Sequence, residues 1–160
     1  MKTLQDHATD RKVETLAKLY LESSPAEICD ETISELCDWL MGEFQQLPLN
    51  LCFSDYSHYD SAEEVFADIE QDRLWVSTEA YDTSIGSSPF YGGVLSALHD
   101  YDHYRSHSDW TMEGEIAAYR ATANRAPSLA IQKILYSQIV LRAATHIYLG
   151  HTPKPKVVFP

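Results

Sequence analysis

Cations are scarce in this chain, and several other features are nearly or wholly missing. Its 160 residues hold only 12 Lys and Arg against 24 Asp and Glu, a formal charge of -12. Such a balance argues against a nucleic-acid binder held through phosphate contacts, which needs clustered cations. Cysteine is sparse too: Cys29, Cys37 and Cys52 are odd in number and form no C-x-x-C pair. This excludes a disulfide framework and the common cysteine zinc sites, and reads as reduced, buried thiols, with Cys29 and Cys37 in an amphipathic helical pattern. No apolar run is long enough to span a membrane. The polar stretch Met1 to Asp10 has no signal-peptide apolar segment, so a cytoplasmic protein is expected. No G-x-S-x-G elbow is present, which removes the usual serine-hydrolase reading.

What is present fits one globular domain over residues 1–160, with 44% hydrophobic residues. Charge is unevenly spread. Residues 1–82 hold 19 acidic and 5 basic side chains, whereas 83–160 hold 5 and 7. After Glu115 no acid follows, while Arg120, Arg125, Lys133, Arg142, Lys154 and Lys156 remain. The second half therefore suits an anionic substrate, unless its cations pair with the acidic first half across the fold.

Periodicity and caps predict a mainly α helical bundle with a minor β element. Val13, Leu16, Ala17 and Tyr20 mark a helix over 10–22. Ser24-Pro25 reads as the start of the next, whose apolar face runs from Ile28 through Leu36 and Leu40 to Phe44. Leu49 to Tyr59 reads as a loop packed on the core. Ser61-Ala62-Glu63-Glu64 is a capping box for a short helix to about Ile69. Arg73 to Thr78 is the clear strand, with Val157-Val158-Phe159 a candidate partner over 156–159. Ser88-Pro89 opens a helix to about His107, Asp109 is placed to cap the next, and Leu129 to Leu149 forms a long last helix ended by Gly150.

Within 89–149 lies the pattern that carries chemistry: His99-Asp100-Tyr101-Asp102-His103, with Glu115 twelve positions beyond His103. On a helix, positions i and i+4 share a face, so both imidazoles reach one divalent ion, and a carboxylate from the next helix completes three ligands. Three protein ligands leave a coordination position open, the mark of a catalytic rather than a structural zinc site. With this composition the pattern arises by chance in fewer than roughly one chain in a hundred. Asp100 stands where H-E-x-x-H enzymes carry a general base. It also suits a role orienting a ligand, since the residue after a ligand points about 100° away around the helix. His107, one further turn along, reads as the exposed helix end. Gln138, Arg142 and His146 form a polar stripe on the last helix, and with Glu79 and Tyr81 are candidates for the site wall. Arg142, His146 and Glu79 are the substrate-binding candidates. The same stripe suits a contact between copies of the chain, so a homo-oligomer stays open. Tyr101 and Tyr104 read as packing.

The ligand pattern resembles the metal motif of the ubiquinone-biosynthesis family that includes the mitochondrial Coq-four protein. That resemblance covers Pro89 to about Leu149 and implies a helical fold and oxidative chemistry on a quinone precursor. Arg73 to Phe159 is also similar to small bacterial and phage proteins with a strand, an H-D-x-x-H helix and a G-E-x-x-A-[YF]-R helix, here Gly114 to Arg120. Metal ligation is what the resemblance implies most directly; the first 70 residues are outside it.

Three functions are then open. The first is a zinc-dependent hydrolase acting on a small or anionic substrate. The second is a non-haem iron or Coq-four-like oxidative enzyme, since two His and one carboxylate also form the facial triad. The third is a non-enzymatic acidic interaction protein with a structural metal. An HD-type phosphohydrolase needs a further upstream His, which His58 supplies, and a downstream Asp, which is missing after Asp109.

Overall fold

The computed structural model describes residues 4–77, 85 and 88–159. Helix α1 is Leu4–Glu22 and α2 is Asp30–Gln46. Strand β1, Asn50–Ser54, leads through α3, Ala62–Ile69, to strand β2, Arg73–Ser77. Then come α4, Phe90–Arg105, and α5, Met112–Ala123. The last helical stretch is α6, Leu129–Leu135, a π-helical segment Tyr136–Leu141, and α7, Arg142–Leu149. The protein is thus mainly α with a small two-stranded sheet. No helix among the described residues is long and apolar enough to cross a membrane.

Two expectations about the β element are corrected. The 49–59 segment is not all loop: its first part is β1, which pairs in parallel with β2 from Asn50 opposite Arg73 to Ser54 opposite Ser77. Parallel strands need a crossover, and α3 supplies it. The tail does not join the sheet. Val157 and Val158 are buried, but their segment is tied by side chains and by another loop. The Val158 amide donates to Ser137 Oγ at 2.8 Å, the Tyr20 hydroxyl donates to the Lys154 carbonyl at 2.9 Å, and the Ala26 amide donates to the Val157 carbonyl at 2.8 Å. That last bond explains a third correction. Ser24-Pro25 does not start α2, because residues 24–29 run extended along the tail. The helix starts after Cys29, which is exposed rather than buried.

Other local signals hold. Ser61 Oγ accepts from the Glu64 amide at 3.3 Å and so caps α3, while the return bond of the expected capping box runs from one residue upstream, the Asp60 amide donating to Glu64 Oε2 at 2.7 Å. Ser128 caps α6, and Gly150 ends α7 with φ 79°, a left-handed conformation that glycine adopts freely.

Helix α4 occupies the centre. Val94, Leu95 and Leu98 belong to the main core with α1, α2, α6 and the π segment. Ala97 belongs to a second core under α3 and β2, against which Tyr101 and Tyr104 pack. With apolar layers on two sides, the remaining face of α4 is held rigidly toward α5 and α7.

Candidate metal centre

Three side chains from two helices converge. His99 Nε2 lies 2.7 Å from Glu115 Oε2, His103 Nε2 lies 3.0 Å from His99 Nε2, and His103 Nε2 lies 3.3 Å from Glu115 Oε2. Ligand atoms about 2.0–2.1 Å from a tetrahedral zinc stand roughly 3.3 Å apart. The triangle is therefore near the size that an ion requires. His103 is buried at 1% exposure, whereas His99 and Glu115 keep 19% and 13%. The cluster is fixed at its base and open at its rim.

The local sequence sets this geometry. The spacing of four puts both imidazoles on one side of α4. After Arg105 the chain reverses: His107 takes φ 51°, and the Ser108 amide donates to the His103 carbonyl at 3.0 Å. His107 is exposed, outside the cluster. Thr111, not Asp109, caps α5, accepting from the Gly114 amide at 3.1 Å; Asp109 Oδ1 in turn accepts from the Thr111 hydroxyl at 2.6 Å. Gly114 packs so closely on Asp109 that a Cβ there would collide with the Asp109 carbonyl. That close approach sets Glu115 over the imidazoles.

Ser108 also fixes a tautomer. His103 Nδ1 lies 3.1 Å from the Ser108 carbonyl oxygen, which only accepts, so the ring proton belongs on Nδ1. This leaves Nε2 with a lone pair directed at the cluster, as a ligand nitrogen requires. Without an ion, one proton on His99 Nε2 would have to serve both Glu115 and His103. A divalent cation serves all three atoms at once.

His99 and Glu115 stabilise each other's charged forms. Burial disfavours charge on His99, but the hydrogen bond and negative charge of Glu115 outweigh it and raise the pKa. Burial likewise opposes the Glu115 carboxylate, yet its close contacts with the His103 and His99 imidazoles pull its pKa down to about 2. Asp100 behaves in the opposite sense: desolvation pushes it up to about 6, against the pull of both imidazoles.

Three cavities meet along this face of α4. One, about 400 Å³, opens over His99, His103 and Glu115 and is bounded by Trp110, His146 and Ile147. A second, about 560 Å³, shares Asp100 and Trp110 with it and extends to His58, Trp75 and Arg142. A third, about 190 Å³, lies behind His99 and reaches Gln138 and Arg142. Asp100, Arg142 and His146 thus all reach the cleft wall. Arg142 does so while its Nη1 donates to Gln138 Oε1 at 3.2 Å. Gln138 is largely spent on structure, donating to the Lys156 carbonyl at 3.1 Å. Glu79 and Tyr81 fall outside the described residues.

Sequence reasoning missed Ser108 and Trp110 as site residues and weighed His58 only for a different enzyme class. Ser108 has a faint signal, a small polar residue just past the helix carrying the His pair. Trp110 has none, since a tryptophan in a turn reads as packing.

A second ionic cluster is centred on the residue next to His103. Asp102, 1% exposed, accepts from Arg125 Nη1 and Nη2, both at 2.9 Å, and from the Thr122 hydroxyl at 2.5 Å. Arg125 Nε donates to Glu43 at 3.0 Å. This network clamps α4 to the end of α5 and to α2. Comparison of the chain with family models, curated proteins and solved structures gives no match.

Proposed function

We propose that this chain is a metal-dependent hydrolase in which His99, His103 and Glu115 hold zinc and Asp100 assists at its side. The substrate would be a small, anionic amide, ester or phosphoester. The observation that carries the reading is the convergence of two imidazole Nε2 atoms and one carboxylate oxygen, with the His103 tautomer set for ligation. Zinc held by three protein ligands supplies Lewis acidity and brings a water toward neutral pKa. Asp100 sits on the wall shared by the cavity over the cluster and the larger cavity beside it. From there it is placed to take a proton from a water above the cluster, or to orient that water. Arg142 and His146 offer positive or hydrogen-bonding groups to an anionic substrate.

Elemental analysis of protein purified without added metal, followed by assay of the zinc-loaded protein on amide, ester and phosphoester panels, tests this. Asp100→Asn is expected to keep its metal and lose nearly all turnover, because an amide does not accept a proton. If it instead weakens metal affinity about 10–100-fold and excess metal restores activity, Asp100 orients a ligand and is not the base. Two His and one carboxylate equally suit ferrous iron, the reading that the Coq-four resemblance favours. Iron in the purified protein, with oxygen consumption and no hydrolysis, would select it. Ligand variants that keep the full biological effect would select a structural metal in an acidic interaction protein.

A further inference from the structure

Among the described residues, two buried side-chain atoms have no hydrogen-bond partner: His99 Nδ1 and His58 Nε2. Both residues line the connected cavities beside the metal centre. An unmade bond at a buried nitrogen is costly, and proteins seldom tolerate one without a use. Two such atoms on one cleft point to a ligand.

His58 is held for such a purpose. Its ring stacks on Trp75, with centroids 3.9 Å apart and planes 9° from parallel, and on its other face lies Tyr56 at 4.4 Å and 22°. Sandwiched in this way, the imidazole cannot turn to find another partner. Around it the cavity wall carries hydroxyls from Ser57, Ser77 and Thr152 and the guanidinium of Arg142, while Asp100, its one carboxylate among the described residues, lies where it meets the cavity over the metal centre. Arg142 is the only Lys or Arg among the described residues lining the three cavities. An imidazole N–H, hydroxyls and a guanidinium are all donors. The ligand group that uses them together is an oxyanion, and charge-assisted bonds to it are the strong ones.

We infer that the cavity of about 560 Å³ is an oxyanion subsite, in which His58 and Arg142 hold a carboxylate or phosphate of the ligand away from the metal, with His58 determining specificity. The inference rests on the proposed metal centre for the place of the reacting bond.

Matched hydroxamates test it on the zinc-loaded protein by calorimetry. One is butyrohydroxamate; the others carry a carboxylate or a phosphonate at the end of a tail of similar length. One anionic tail is expected to bind at least about tenfold tighter than the alkyl tail, as a charge-assisted contact would give. His58→Phe keeps an aromatic ring in the stack and removes the nitrogen, so most of that ratio should vanish. Equal affinity for all tails, or an undiminished ratio in His58→Phe, would overturn the subsite. The preferred tail says whether the oxyanion is a carboxylate or a phosphate. If no hydroxamate binds, the metal centre fails instead. The subsite is then decided in metal-free protein, where succinate or inorganic phosphate should shift the His58 ring ¹⁵N resonances. No shift with either would refute it.

Discussion

Helix α4 carries two ionic clusters, centred on the neighbouring residues Asp102 and His103, and they are built on opposite principles. Around Asp102 one guanidinium bridges two carboxylates: the Arg125 fork faces buried Asp102 and its Nε faces Glu43. Around His103 two imidazole nitrogens and a carboxylate oxygen face one another, and among the described residues no Lys or Arg lines the cavity over them. A closed cluster of the first kind holds helices together. An incomplete cluster of the second kind is completed by something from outside. Charge alone does not distinguish a structural network from a site; whether the protein itself supplies the bridging cation does.

The contrast is broken most completely at the ligands. His103→Ala and Glu115→Ala should each lose most bound metal by elemental analysis, while His107→Ala should keep it; full occupancy in His103→Ala would end the assignment. Next in size is Arg125→Met, which leaves Asp102 buried and unpaired. It should cost about 3–5 kcal/mol in chemical denaturation, with metal still bound by the folded fraction. A smaller effect is expected from Gly114→Ala. The added methyl group meets the Asp109 backbone, so it should cost about 1–3 kcal/mol and weaken metal affinity by moving Glu115. Metal affinity equal to wild type would show that the α4–α5 turn does not set the site.

The smallest effect sharpens the comparison on a surface pair. Arg73 donates to Asp68 at 2.6 Å and holds its pKa below the ordinary carboxylate value, with the Tyr59 hydroxyl adding a bond at 2.9 Å. A lowered folded-state pKa means stability that is present above about pH 4 and is lost as pH falls through the folded value. Wild type and Asp68→Asn should therefore differ most at neutral pH and converge in acid. Arg73 is about half exposed, so the difference should be small. Parallel pH profiles of chemical denaturation would deny Asp68 this part.

Much of the His99, His103 and Glu115 cluster was legible because it is local: the two imidazoles are one helical turn apart, and Glu115 follows across a short turn. The cap at Ser61 and the helix stop at Gly150 were legible for the same reason. Strand β1 was not. Asn50 to Ser54 has no clean alternation, and its partner lies beyond a helix, so nothing within the segment announces the pairing. Val157 and Val158 read as strand because burial and β-branching look alike in sequence, yet Ser137 and Tyr20 hold that segment in place of a ladder. His58 was hidden because its meaning depends on Trp75, brought beside it by the crossover through α3.

The π segment Tyr136–Leu141 acts on helical phase. One extra residue in a helix turns everything after it by about 100° relative to a continuous α-helix. Arg142, Ala143, His146 and Ile147 all come after it, and all line the cleft. The residues of α7 that face the cleft are therefore chosen by a length rather than by their own identities. A single deletion within 136–141 would leave α6 in the core and present a different wall to the same metal ligands. Insertions and deletions, more than substitutions, are the changes by which a scaffold of this kind would exchange one ligand preference for another.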